Sequence, residues 1–143
     1  MTESENTKPH PIQLHSTVFS KTVVIAISSH DPEKNQDSAE PVNKINIREI
    51  ESEPGFYACS MRTVINESGN DAYPYQIDME CHAKLYADDT LSKEEARRGV
   101  LITAHSVLYG AIREQVAWLT SRQPFGTLML GLSVLSAPPK NAD

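Results

Sequence analysis

Residues 56–65, FYACSMRTVI, and residues 75–85, YQIDMECHAKL, decide the fold. In the first stretch Tyr57, Cys59, Met61, Thr63 and Ile65 fall on one face, with Ala58, Ser60 and Arg62 on the other. In the second, Tyr75, Ile77, Met79, Cys81, Ala83 and Leu85 alternate with Gln76, Asp78, Glu80, His82 and Lys84. A strand points successive side chains to opposite faces. Alternation over this length therefore predicts two strands, each with one dry side and one wet or partner-facing side. The intervening NESGND at 66–71 is turn-forming, so the two strands are expected to pair as an antiparallel hairpin.

Outward from the hairpin, residues 12–27 are rich in Val, Ile, Thr and Phe and read as a strand, bent near Ser20 and Lys21. The charged HDPEKNQDSAEP at 30–41 reads as an exposed loop. Residues 42–50 resume as a strand, with Ile45 and Ile47 on one face and Ile50 on the other. Ser92 looks like a helix N-cap, with Glu95 at the capping-box position and acidic Glu94 in the first turn.

Helical sequence runs from 93 to about 122, with a break expected near Gly110 and a stop at Pro124 and Gly126. Leu101, His105, Leu108, Ile112 and Leu119 lie near one stripe, and Val100, Val107, Ala111 and Trp118 widen it. A helix apolar over so wide an arc is expected to be buried on more than one side. In a chain this small the second side would be another subunit, with Leu101, Ala104, Leu108 and Ile112 as interface candidates in a homo-dimer or homo-tetramer. Residues 127–136 alternate again, placing Leu128, Leu130, Leu132 and Val134 together. The expectation is an α+β fold: a four-stranded antiparallel sheet packed with a long C-terminal helix. A single domain would occupy 12–136, between a disordered tail at 1–11 and a polar tail at 137–143.

The chain has 143 residues and a net charge of -6, from 19 acidic and 13 basic side chains. That balance argues against a nucleic-acid binder and against anionic membrane surfaces. No stretch of ~20 apolar residues is present to span a membrane. The first eleven residues lack the basic start and apolar core of a secretory signal. Cys59 and Cys81 show no CxxC spacing, so reduced core thiols and a cytoplasmic location are expected.

Five histidines occur at 10, 15, 30, 82 and 105, and none has a metal-ligand partner beyond the adjacent Cys81–His82. Those two point to opposite faces of a strand and cannot easily share an ion. His82 reads as solvated and His105 as a satisfied, half-buried helix residue. No strained-turn serine signature or phosphate-cradling glycine motif is present, so no enzyme, metal or cofactor is expected.

Residues 108–125, LYGAIREQVAWLTSRQPF, resemble the long-helix end of SecB export chaperones: Arg113-Glu114, Ser121-Arg122 and Phe125 match without a gap. Leu128 and Leu130 match the Leu-x-Leu that follows. Residues 12–25, 41–47 and 57–64 resemble the family's first three strands, and Asp78 falls near an acidic residue of the fourth. The resemblance implies a dimer of dimers whose hydrophobic grooves hold unfolded polypeptides or preproteins without ATP, for protein export and translocation. It places the groove at Ile45, Ile47, Phe56, Tyr57, Tyr86 and Leu108, and Asp78 on an acidic surface facing the SecA motor.

The chain departs from the pattern in four places. Gly110 stands where the family usually has Pro, GLSVL at 131–135 replaces a Pro-Pro-Val-Asn-Phe-like segment, and the charged 87–98 replaces a glycine-rich linker. The tail at 137–143 carries no Cys or His with which to hold the metal some members use to contact SecA. A divergent SecB-like protein is therefore expected, with a second reading as a binding module dedicated to one partner, such as an antitoxin-protecting or phage-encoded form.

Overall fold

The computed structural model describes residues 6–33 and 40–135. The tail at 137–143, the start of the N-terminal tail and the middle of the 30–41 loop lie outside them. Four strands precede one helix: β1 (Ile12–Ala26), β2 (Val42–Glu49), β3 (Phe56–Ile65), β4 (Tyr75–Ala87) and α1 (Lys93–Thr120). The strands form one antiparallel sheet in the order β1-β4-β3-β2. The expected hairpin is its centre, with Met61 opposite Cys81 and Ile65 opposite Ile77. The bend expected in the first strand is a β-bulge at Ser20, and a second bulge sits at His15. Each inserts an unpaired residue, which keeps the apolar set of β1 in phase with β4.

The alternation pays out as anticipated on the helix side of the sheet. Met61, Ile65, Tyr75, Ile77, Met79 and Leu85 are fully buried there, against Val100, Leu108, Ile112 and Val116 of α1. Each such side chain contributes roughly 1.5–3 kcal/mol by leaving water. The buried polar groups are satisfied: Thr63 Oγ1 donates to Asn43 Oδ1 at 2.7 Å, and Thr120 Oγ1 donates to the Val116 carbonyl at 2.7 Å. Cys59 and Cys81 are free, and burial pushes both thiols up to about 11.

Two expectations for the helix are corrected. It runs unbroken through Gly110, which lies on the exposed face with no neighbour near its missing side chain. Its buried stripe is Ala96, Val100, Ala104, Leu108, Ile112, Val116 and Thr120, rotated from the stripe through Leu101, His105 and Leu119. The alanines explain the shift: they carry little apolar weight in the sequence, yet their small size lets the helix approach the sheet closely. Ser92 caps the start as expected, its Oγ accepting the Glu95 N–H at 3.1 Å.

The turn before β3 depends on Gly55, whose φ is +84° and whose carbonyl accepts the Ala87 N–H at 2.8 Å. A Cβ there would meet the Tyr86 ring at 2.8 Å. Gly55→Ala is expected to lower stability by about 1–2 kcal/mol from the left-handed backbone alone, before any displacement of Tyr86. Urea unfolding measures this, and an unchanged midpoint would contradict the account of the turn.

Candidate functional site: an apolar groove beside the long helix

After α1 the chain turns through 121–126 and returns along the helix. Four helix side chains spaced one or two turns apart hold it. The Leu128 N–H donates to Thr120 Oγ1 at 2.8 Å, Arg113 Nε donates to the Leu130 carbonyl at 2.9 Å, and Tyr109 Oη donates to the Gly131 carbonyl at 2.8 Å. His105 Nε2 and Ser133 Oγ share a hydrogen bond of 3.2 Å. At the turn, Tyr75 Oη donates to the Gly126 carbonyl, and the Phe125 ring meets Tyr75 and His30 edge-on.

This segment is extended but joins no strand ladder, and its alternation does not persist. Leu130 is buried and Leu128 half-buried, as expected, while Leu132 and Val134 are 86% and 88% exposed. Beyond Gly131 it is Ser133 and Leu135 that are the less exposed residues. The reversal follows from the Tyr109 and His105 bonds, which fix Gly131 and Ser133 against the helix and turn their neighbours to solvent.

Between the helix and this end of the segment lies a groove of about 720 Å³. Leu101, Ile102, Val134 and Leu135 give it apolar walls, His105, Ser106 and Ser133 line it between them, and Glu94, Arg97 and Arg98 stand at its end. The volume is within the range of ligand sites, and apolar walls with few polar groups are their usual chemistry. His105 stacks on Tyr109 with ring centroids 6.0 Å apart. No carboxylate among the described residues bonds the imidazole, so the His105–Ser133 pair lacks the orienting acid of a nucleophilic site.

The residues named as groove-lining from the sequence do not form one groove, although Tyr57 and Tyr86 both border a recess at the end of the sheet beside Gly55 and Ala96. Ile45, Ile47 and Tyr57 share the helix side of the sheet, where Tyr57 is buried and the two isoleucines pack at the edge of the core. Phe56 and Tyr86 lie opposite one another on the outer side. There they flank a recess of about 360 Å³ with Gln13, Leu14 and His15, and Lys84 Nζ sits 4.7 Å over the Phe56 ring. Leu108 is fully buried under the sheet and lines neither groove. Ala104 and Ile112 are equally buried in the chain's own core, so of the four interface candidates only Leu101 retains accessible surface. Ile102, Val134 and Leu135 were missed. The signal for Ile102 was the excess width of the helix arc; the other two were hidden by the phase reversal at Gly131.

Neither a family model nor a curated protein sequence matches the chain. Among solved structures, it is similar to the Mycobacterium tuberculosis Rv1957 SecB-like chaperone in complex with a ChAD peptide from the Rv1956 HigA1 antitoxin. That match has a TM-score of 0.65 and 16% identity, covering 86% of this chain and 91% of the other. The chain has the SecB-like fold. It is also similar to a Streptococcus agalactiae protein of unknown function, with a TM-score of 0.51, 8% identity, and coverage of 85% and 97%. The order of strands and helix expected from the resemblance is thus the observed one, and the low identity fits a divergent SecB-like chain.

The geometry around Asp78 sharpens the reading of that residue. It lies on the outer sheet face as expected, but that surface is not simply acidic. Arg62 Nη2 and Lys21 Nζ reach Asp78 Oδ2 at 2.8 and 2.6 Å, and Arg62 Nε reaches Oδ1 at 3.1 Å. Lys44, Arg62 and Lys21 surround Glu80 in one cross-strand row, and Lys84 pairs with Glu53. His82 shares bonds with Ser20 Oγ at 2.8 Å and Glu80 Oε1 at 2.9 Å. Asp78 is therefore a neutralised structural carboxylate.

The Arg62 hydrogen bonds hold the Asp78 carboxyl down to about 2 against the upward push of burial, and Lys21 adds to them. A depressed carboxyl stabilises the fold fully above its ordinary value of 3.8, and that contribution is lost as pH falls toward about 2. Asp78→Asn is expected to lower stability at neutral pH and to flatten the acid loss over that window. Urea unfolding at stepped pH checks this; parallel acid limbs for the two proteins would contradict it.

Proposed function

We propose that the chain is an ATP-independent holdase that binds apolar segments of unfolded polypeptides in the groove between α1 and residues 133–135. The observation that carries this is surface chemistry. Ile102 and Val134 stand exposed along one cleft with Leu101 and Leu135, and Leu132, Met129 and Trp118 are further exposed apolar side chains of the helix and the returning segment. Contiguous exposed apolar surface on a protein marks an interaction site. An unfolded client offers apolar side chains of many sequences, and a long groove holds them by many weak contacts. No nucleotide is needed, because release follows from the client's own folding or transfer. The groove's chemistry favours a binder over an enzyme, and we expect it to work in the cytoplasm, where the two buried thiols stay reduced.

A second reading is a module dedicated to one partner. The peptide-bound state of the Rv1957 chaperone, which holds an antitoxin segment, favours it. An export role through SecA rests on the family resemblance, in which Asp78 is the candidate SecA-facing position; here Asp78 is paired with Arg62 and Lys21. We also propose assembly as a homo-dimer or homo-tetramer. The helix face turned from the sheet beyond the groove, with Gly110 and Trp118 accessible, supports this; a monomer by light scattering at micromolar concentration would contradict it.

The test of the holdase reading is suppression of aggregation of several unrelated, thermally unfolding proteins in nucleotide-free buffer. Suppression that saturates near stoichiometric ratios is expected. No effect at several-fold excess would sink the reading, and activity on one client alone would select the dedicated module.

A further inference from the structure

The groove is apolar along its length and charged at one end, where the charge is not balanced. Arg97 and Arg98 stand there together with Glu94. Arg98 reaches Glu94 only at 3.7 Å, with both side chains largely exposed, and such a pair is weak. Arg97 has no ion-pair partner among the described residues. The same end of the groove adjoins the first turns of α1, where Glu94 and Glu95 already answer the helix dipole. The groove end thus carries two guanidinium groups against the one carboxylate that lines it, on a chain whose net charge is -6, set beside walls of Leu101, Ile102, Val134 and Leu135.

From this juxtaposition we infer that the groove selects apolar polypeptide segments flanked by a carboxylate, with Arg97 and Arg98 as the specificity-determining residues. The apolar stretch of the client lies against Leu101, Ile102 and Val134. Its Asp or Glu side chain meets the two guanidinium groups, whose planar forks pair with a carboxylate by two parallel hydrogen bonds. A client with a basic residue in that position meets like charge instead, which discriminates against it. Nucleic acid is disfavoured at the same spot, since the cationic area is two residues wide and the rest of the chain repels a polyanion.

The inference rests on the groove being the polypeptide site, and its test separates the two. Two fluorescent peptides share one apolar core and differ only in a flanking Glu or Lys, and anisotropy measures their binding. The Glu-flanked peptide is expected to bind roughly three- to tenfold tighter at low salt, the size expected of one or two exposed charge contacts. The advantage should shrink as salt rises. The Arg97→Gln/Arg98→Gln double variant, whose substitutions lie on exposed helix surface, is expected to bind the two peptides alike. Circular dichroism confirms its fold, and Arg97→Lys/Arg98→Lys, which keeps the charge but loses the fork, should recover part of the preference. Equal binding of both peptides to the unaltered protein would overturn the inference and leave the groove reading intact. Binding of neither peptide would overturn the groove reading itself. Tighter binding of a single-stranded oligonucleotide than of the Glu-flanked peptide would replace the polypeptide assignment of this end.

Discussion

Leu108→Ala is expected to lower the unfolding free energy by about 2–5 kcal/mol while leaving the affinity of the folded molecule for an unfolded client unchanged. Leu108 sits between Ala104 and Ile112 on the buried stripe of α1, with no accessible surface. It belongs to the same core as the fully buried sheet residues Met61, Met79 and Leu85, which cannot all collapse inward. Interiors are packed at crystal-like density, so the truncation leaves a cavity rather than a repacked core. Urea unfolding gives the stability change, and peptide anisotropy below the unfolding transition gives the affinity. A weakened client interaction with unaltered stability would return Leu108 to a binding surface and contradict the packing described above.

The second large effect has the opposite signature. Ile102→Asp is expected to weaken client binding at least about tenfold, the size of one fully buried aliphatic contact at roughly 1.5–3 kcal/mol, with a desolvated carboxylate adding to the loss. Ile102 is exposed and takes no part in the core, so the unfolding midpoint should move by no more than about 0.5 kcal/mol in free energy. The two variants together dissociate folding from function across residues only six positions apart. If Ile102→Asp bound clients normally, the groove beside α1 would not be their site.

The sheet was legible because its signal has a period of two and its two faces differ sharply. Tyr57 to Ile65 and Tyr75 to Leu85 each declare a dry face, and the observed register puts those faces together. The helix was legible in extent and capping but not in rotation. Ala96 is buried yet looks neutral in sequence, while Leu101, read from the sequence as part of the apolar stripe, lines a groove. The site was least legible. It is built from two segments about thirty residues apart whose juxtaposition depends on Arg113, Tyr109 and His105 reaching the returning chain. No periodicity reports such bonds, and they reverse the apparent face of 132–135. The family resemblance placed groove residues on both faces of the sheet, Phe56 and Tyr86 on one and Ile45, Ile47 and Tyr57 on the other, and only at the end of the sheet do Tyr57 and Tyr86 border a common recess.

The most direct test is to photo-crosslink a permanently unfolded, diazirine-labelled polypeptide to the protein in nucleotide-free buffer and map the adducts by mass spectrometry. Adducts are expected at Leu101, Ile102, Val134 and Leu135 and absent from the outer-face residues Ser60 and Arg62. Adducts concentrated on that outer face, or no labelling above that of a folded control, would contradict the account.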